Sequence, residues 1–138
     1  MRLVVTGLNS KGESAVIESR DLGAGERDTV LGLFRTTTSQ PPRPAGHGDS
    51  VDNGVAPGSL LWNLVTWPPG ASTPFHHTDS FDFDIILEGS VELELDDGRH
   101  SLSQGDCIIV AGVDHAWHVG LRGCTLTALN MGTPPPHA

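Results

Sequence analysis

The stretch FHHTDSFDFDIILEG, residues 75–89, places two adjacent histidines and three aspartates around the start of an apolar run that closes on a glycine. Imidazoles and carboxylates lose hydration when they are buried, so such a cluster persists in a core only where a cation or hydrogen-bond donors compensate. The stretch therefore indicates either half of a metal pocket or a polar loop that leads into a strand. Residues elsewhere in the chain indicate which of these two interpretations fits better.

The 138-residue chain predicts one domain built from short strands. Its 17 glycines and 10 prolines leave little room for long helices. The alternation in SVELEL, residues 90–95, is typical of a half-buried strand, and DDG, residues 96–98, predicts a hairpin turn. Many short strands at regular spacing favour an antiparallel sandwich or barrel. Further strands are predicted at 2–7, 14–19, 30–37, 60–67, 81–89, 107–113 and 124–131.

The positions of prolines, glycines and polar stretches also predict how the domain is organised. We expect N-terminal strands within residues 1–37 and a Pro/Gly-rich surface loop over residues 38–59, which is too polar to bury a core face. The barrel core is expected over residues 60–131 and a flexible tail over residues 132–138.

Charge and composition narrow the possible functions. Eight basic against 17 acidic residues give a net charge of −9, which repels nucleic-acid backbones and anionic membranes. Neither a secretory signal nor an apolar run of about 20 residues is visible, so a cytoplasmic location is expected. Cys107 and Cys124 lie in apolar strand-like segments and are expected to be buried free thiols.

Two short motifs resemble those of the cupins, a superfamily of small β-barrels. Gly70 is followed after five residues by His76, and Asp82 is followed after six residues by Gly89, as in the first cupin motif. GDCIIVAGVDHAW, residues 105–117, is similar to the second motif, with its histidine one residue earlier than usual.

HHTDSFDF, residues 76–83, also looks like the HRTD-S/T-x-D-Y type motif of small bacterial and fungal cupins. The resemblance covers about residues 60–130. It implies an all-β, single-domain cupin-type antiparallel β-barrel, that is, a double-stranded β-helix or jelly roll. Because cupins catalyse many unrelated reactions, the resemblance indicates the fold more strongly than the function.

Three positions depart from the cupin metal-binding pattern. The second histidine of the first motif is Thr78, the glutamate is shortened to Asp82, and the proline of the second motif is Ala111. With the alternative spacing, His77 takes the second histidine place and Phe75 the first. The sequence leaves the register of the two histidines open, and with it the completeness of a metal site.

The alternation of side chains along strands predicts which of these groups converge. If His76 and Asp82 face the barrel interior, Asp84 faces it too, and His115 shares a face with Trp117. The resemblance implies a divalent transition metal (Zn, Fe(II), Mn or Ni), an ion that would compensate two neighbouring carboxylates. The expected metal ligands are His76, Asp82, His115 and, in the alternative register, His77, and the expected catalytic carboxylates are Asp84 and Asp82. The expected substrate pocket adds Thr78, Phe83, Trp117 and Trp62.

Several functions fit these residues. The leading hypothesis is a metal-dependent enzyme that activates a carbonyl or enolate of an apolar or aromatic small molecule, as a lyase, dehydratase, isomerase or decarboxylase. An Fe(II) dioxygenase and a metal-free, non-catalytic small-molecule-binding cupin are the alternatives. Neither nucleic acid nor membrane is an expected partner. Small cupins commonly pair by exchanging N-terminal strands, which caps open sheet edges, so a homodimer is expected.

Overall fold

A computed structural model describes residues 1–23, 30–43 and 47–136 and shows an all-β fold, with no helix in these three ranges. In the same ranges no helix is long and apolar enough to cross a membrane. Both cysteines are free and buried, as predicted. The strands are β1 (Arg2–Leu8), β2 (Ser14–Asp21), β3 (Asp49–Ser50), β4 (Leu60–Trp67), β5 (His76–His77), β6 (Ser80–Leu95), β7 (Gly98–Ser103), β8 (Cys107–Ala111) and β9 (Ala116–Gly132).

Seven strands form one large sheet in the order β2-β1-β8-β6-β9-β4, with β7 paired to β6, while β3 and β5 form a separate two-stranded sheet. The predicted all-β cupin architecture is confirmed. In one respect the pairing differs from an antiparallel barrel, because β1 and β8 run parallel and the strand order does not close on itself. The long antiparallel pair of β6 and β9 is the centre of the fold.

Apolar residues on the two faces of this sheet form two cores. The inner core holds side chains with almost no exposure, including Ile86, Leu93, Ile108 and Leu126. A smaller outer core packs on the opposite face and contains Leu3, Val5, Phe81, Cys107, Ile109 and Ala111. Since β6 supplies Phe81 to one core and Ile86 to the other, its odd positions near the start face outward and its even positions inward.

Residues 30–37 do not form the third strand that the sequence predicts. The segment lies over the outer core instead, where the Phe34 ring is 6.2 Å from the Phe81 ring and 6.1 Å from the Phe83 ring between centroids. Leu33 and Phe34 pack on a sheet face, Val30 and Leu31 are exposed, and the segment makes no strand pairing. A short apolar run serves either for packing or for pairing, which explains the wrong prediction.

The other predicted segment boundaries agree with the structure only in part. The two predicted strands on either side of residue 90 form the single strand β6, with irregular register near Gly89. Within the predicted loop 38–59, β3 pairs with β5, and residues 44–46 lie outside the described ranges. In the predicted tail 132–138, Thr133 is buried and its amide donates to the carbonyl of Asp79, while residues 137–138 lie outside the described ranges.

Gly89, the last residue of the first cupin-like motif, lies where β6 passes closest to β9. Its φ angle is +79°, and a Cβ atom added there would approach the carbonyl oxygen of Gly123 to 2.0 Å. Both the left-handed backbone and the contact therefore require glycine at this crossing.

We expect Gly89→Ala to destabilise the protein far more than Gly12→Ala. Gly12 has a similar φ of +74° but nothing within 4 Å of an added Cβ, so its substitution isolates the backbone strain of about 1–2 kcal/mol. The clash at Gly89 adds roughly 1–3 kcal/mol of overpacking. Urea unfolding measures both, and equal losses of stability in the two variants would contradict the close crossing.

Candidate functional site

Two histidines from distant parts of the chain meet at the end of the sheet. His76 on β5 and His115, just before β9, form an isolated antiparallel bridge in which each backbone amide donates to the other's carbonyl at 2.8 Å. The two rings lie 4.4 Å apart between centroids. The backbone thus brings together the two motifs that the sequence predicts to converge.

Each of these rings is oriented by its own backbone. The Nδ1 atom of His76 lies 2.7 Å from the carbonyl oxygen of Pro74, and that of His115 lies 2.8 Å from the carbonyl oxygen of Val113. A carbonyl only accepts hydrogen bonds, so Nδ1 carries the proton in both rings. In a neutral imidazole this leaves the lone pair on Nε2, the arrangement found in metal-binding histidines.

Burial keeps the His115 ring neutral. Only 2 % of His115 is exposed, and desolvation, together with the neighbouring His76 ring, lowers its pKa to about 3. The ring therefore stays uncharged across the physiological pH range, and its Nε2 lone pair is available to an electrophile.

Asp82 is the first of two carboxylates on β6 that face the same side. Its Oδ1 accepts hydrogen bonds from the Ser80 hydroxyl and the Asn130 amide, both at 2.6 Å. Burial raises the pKa of Asp82, while these two donors and the nearby His76 ring oppose the rise. Asn130 in turn accepts a bond of 2.7 Å from the amide of Asn63, so a chain of amides reaches Asp82 from β4.

Asp84 lies two residues further along the same face and lacks the donors that oppose the rise in the pKa of Asp82. It is 5 % exposed, and its Oδ1 is buried with no hydrogen-bond partner among the described residues. Burial, and then the charge of Asp82, raise the pKa of Asp84 well above its ordinary value. Because two adjacent buried carboxylates cannot both ionise cheaply, Asp84 is the one that keeps a proton.

A cavity of about 170 Å³ unites these groups beneath the inner face of the sheet. The polar side is formed by the two histidines, the two aspartates, two asparagines and a threonine; the apolar side includes two tryptophans whose rings lie 5.8 Å apart between centroids. The lining residues are Asn63, Val65, Trp67, Thr73, His76, Asp82, Asp84, His115, Trp117, Leu126, Ala128 and Asn130.

The structure places His77 and Thr78 away from this cavity, although the sequence suggested them as an alternative ligand and a pocket residue. The Nδ1 atom of His77 lies 2.6 Å from a carboxylate oxygen of the fully buried Asp114, on the other side of the strand from His76. The Thr78 hydroxyl pairs with that of Ser80 at 2.8 Å. The backbone bridge at His76 fixes the register and turns the next side chain outward.

Phe83 and Trp62 are also corrected, because neither lines the cavity. Phe83 alternates with the inward Asp82 and Asp84 and packs on the outer face, next to Phe34. Trp62 is 76 % exposed on the outer face of β4. Of the four expected pocket residues, Trp117 alone lies in the cavity wall.

The sequence did not identify the cavity residues that lie on the inward side of β4 and β9. Asn63 lies in the largely apolar strand β4 and Asn130 in the apolar end of β9, and they pair across the sheet with Ala128 and Asp82, respectively. A buried amide in an apolar strand is a usable signal, since it needs a partner there. Trp67 could have been chosen over Trp62 only with knowledge of which face of β4 points inward.

The donor chemistry suits a divalent transition metal in part. Two imidazoles present Nε2 lone pairs, and Asp82 offers a carboxylate in the same cavity, which matches the ligand types of such ions. In the ranges that the structure describes, however, no three His, Cys, Asp or Glu side chains are placed together as a ready metal-binding group. The two histidines are therefore a fitting pair, and the third ligand is not in position.

The fold and the paired motifs define a cupin. Residues 63–120 match the family described as "Cupin domain", and the chain is a member of the cupin superfamily. A structure of a protein of unknown function from Rhizobium leguminosarum bv. viciae shares this fold, with a TM-score of 0.51 and 16 % identity over 54 % of this chain and 72 % of that one.

Curated relatives from fungi are similar to this chain. Phomopsin biosynthesis cluster protein C' of Diaporthe leptostromiformis is 34 % identical over 103 residues, which cover 67 % of this chain and 54 % of that protein. The cupin-domain-containing oxidoreductase fogC of Aspergillus ruber is 27 % identical over 126 residues, 82 % of this chain and 61 % of that protein. The chain thus spans about half to three fifths of the length of these relatives.

We expect Asp84→Asn to become more stabilising as pH rises. The folded pKa of Asp84 is raised, so above about pH 4 the native state holds a proton that the unfolded chain releases. The unfolding free energy of the wild type then falls with rising pH, by up to about 1.4 kcal/mol per pH unit, until the folded pKa is reached. The side-chain amide of the D84N variant carries no such proton, so the variant escapes this loss.

Urea unfolding of wild type and D84N at several pH values between 4 and 7, in the presence of a chelator, measures the difference. The exposed Asp52 on a loop provides the matched charge control, D52N. A stability difference between D84N and wild type that is the same at pH 4 and pH 7 would rule out a proton held on this carboxyl.

Proposed function

We propose that this chain is a metal-dependent cupin enzyme that moves a proton on a small apolar or aromatic molecule, with a lyase, dehydratase, isomerase or decarboxylase type of reaction. The observation that carries the proposal is the meeting of His76, His115, Asp82 and Asp84 in one buried cavity. A cavity that only held an apolar ligand would gain nothing from two buried carboxyl groups, which cost stability.

The two carboxyl groups are suited to opposite halves of a proton transfer. Hydrogen bonds from Ser80 and Asn130 favour the ionised form of Asp82, which can accept a proton. Asp84 has no such donor on Oδ1 among the described residues, and burial together with the charge of Asp82 raises its pKa well above its ordinary value, so it is suited to donate a proton. Pairs whose surroundings separate their pKa values in this way are characteristic of acid and base partners.

The metal proposed here would be held by His76 and His115, with Asp82 as a carboxylate in the same cavity whose pKa the His76 ring influences. When bound, such an ion polarises a carbonyl oxygen as a Lewis acid. The hydrogen bonds of both Nδ1 atoms to backbone carbonyls would keep the two rings in the required tautomer and orientation.

The cavity walls support a substrate with an apolar or aromatic reacting end. Trp67 and Trp117 form one wall, and the Trp117 ring stands edge-on to the His115 ring at 5.9 Å between centroids. A volume of about 170 Å³ admits a few heavy atoms and not a whole drug-sized molecule, for which about 300–1,000 Å³ is usual. The reacting group would therefore enter while the rest of the substrate stays outside.

An oxidative reaction is the second candidate, because a curated relative of this chain is a cupin-domain-containing oxidoreductase. The same two histidines would then hold Fe(II) in a cupin dioxygenase. The identity of the metal separates the two proposals, since Zn cannot support the redox step while Fe(II) supports O₂ chemistry.

Metal analysis tests the proposal directly. We expect protein purified without added metal to contain about one equivalent of a transition metal, and His76→Ala and His115→Ala each to lose it, because each removes one of the two nitrogen ligands. His100→Ala is the matched control, since His100 pairs with Asp97 outside the cavity. Elemental analysis by mass spectrometry gives both the amount and the identity of the metal.

The opposite result favours a metal-free binding cupin. If the wild type contains no metal, takes up none when dialysed against Zn, Mn, Ni or Fe(II), and both histidine variants remain folded by circular dichroism, the metal-dependent proposal is wrong. Retention of metal in both alanine variants would place its ligands elsewhere.

Asp82→Asn distinguishes the roles of Asp82 and Asp84 in metal binding, by an affinity measurement that needs no substrate. We expect it to weaken metal affinity by about 10–100-fold, the usual effect of losing a carboxylate at or next to a metal. D84N should leave the affinity nearly unchanged, because burial and the charge of Asp82 raise the pKa of Asp84 and so disfavour the anion that would bind a metal. Titration with Co(II), followed by quenching of the fluorescence of Trp67 and Trp117 in a Trp62→Phe background, measures both affinities, and a larger loss in D84N would reverse the assignment.

A further inference from the structure

Two edge strands of the large sheet, β2 and β4, are protected very differently. The edge strand β2 ends in ESRD, residues 18–21, and Glu18 pairs with Arg20 at 3.3 Å. The opposite edge strand, β4, reads LLWNLVTW and contains neither a charged residue nor a proline. Charges and prolines are the usual devices that prevent an edge strand from pairing with another chain, and β4 has none of them.

The free edge of β4 is open in the part of the chain that the structure describes. Its eight residues pair with β9 on one side, and no turn or loop backbone hydrogen bond in the described ranges reaches them from the other. An eight-residue strand leaves about four amides and four carbonyls without a protein partner on such an edge. These groups are a template for one further strand.

The outer face of the same strand is apolar and exposed. Leu60, Trp62 and Leu64 alternate on this face with exposures of 64 %, 76 % and 69 %. On β6, Ile85 and Leu87 extend the surface with exposures of 41 % and 43 %, and Thr127 of β9 joins the two strands because it pairs with both Leu64 and Ile85. We call these five apolar side chains the outer-face patch.

We propose that β4 and the outer-face patch form an interface with a second copy of this chain. With a net charge of −9, two copies repel each other over most of their surface, and a strand and patch free of charged side chains are where they can approach. Antiparallel pairing of β4 with its own copy about a twofold axis satisfies both free edges at once, since such an interface is self-complementary.

The size of the patch agrees with a dimer. Its five side chains are each 41–76 % exposed and adjoin the open edge of β4. An apolar patch of about 300–600 Å² is the largest on a typical monomer and is often functional, and each partner in a stable interface buries roughly 800 Å². The inference does not depend on the reaction at the cavity.

This interface differs from the exchange of N-terminal strands that the sequence suggested. In the structure β1 lies between β2 and β8 of its own chain, and residues Leu3, Val4 and Val5 pair with β8. Those side chains are buried in the two cores of the same chain. The chain thus already uses its N-terminal strands internally, and the uncovered apolar surface is at the other end of the sheet.

The double variant Trp62→Glu with Leu64→Glu tests the interface. We expect the wild type to have twice the 14.6 kDa mass of one chain by light scattering, and the double variant to have the mass of a single chain, because four like charges would meet at the axis. Leu121→Glu is the matched control, since Leu121 is 94 % exposed and lies off the patch. It should remain dimeric.

Hydrogen exchange of the wild type provides a second measurement that does not depend on how the double variant folds. Every second amide of β4 should become protected as protein concentration rises, while the amides of the β2 edge should not. A wild type of 14.6 kDa at 100 µM, a double variant that stays dimeric, or protection in β2 instead of β4 would each overturn the proposal.

Discussion

The pair of backbone hydrogen bonds between His76 and His115 is the constraint on which the candidate site depends. It joins a two-residue strand to the residue before β9, although the two positions are 39 residues apart. In an antiparallel bridge, directly opposite side chains point to the same face. Once the two backbones are joined, both rings must enter the same cavity, and each is then held by a carbonyl two residues before it in the chain.

The same alternation gives β4 two different faces. Its inward residues Asn63, Val65 and Trp67 line the cavity, and its outward residues Leu60, Trp62 and Leu64 form most of the outer-face patch. A strand that is apolar on both faces is expected where both faces are covered. The composition of β4 is therefore consistent with a substrate cavity on one side and a second chain on the other.

Much of this could be predicted from the sequence, because the cupin-like motifs fix spacings along single strands. The bounds of β4 follow from an apolar run that ends at PPG, and the shared face of Asp82 and Asp84 follows from a period of two. The meeting of His76 with His115 is expected from the resemblance of the two motifs to those of cupins. What could not be predicted depends on pairing between distant segments. LLWNLVTW is apolar at both parities, so nothing local distinguishes Trp62 from Trp67. His76 and His77 have the same chemistry, and only the backbone bridge between His76 and His115 determines that the His76 ring faces the cavity.

Shifts in pKa explain why acidic and basic side chains can be buried together in the cavity. His115 is uncharged because burial lowers its pKa to about 3, and burial together with the charge of Asp82 raises the pKa of Asp84 well above its ordinary value. Burial also raises the pKa of Asp82, but two donors, Ser80 and Asn130, oppose the rise by stabilising its anion. The cavity therefore holds two carboxyl groups with different surroundings beside two imidazole rings. Buried carboxyl groups cost stability, so this arrangement is a feature that stability alone would not select.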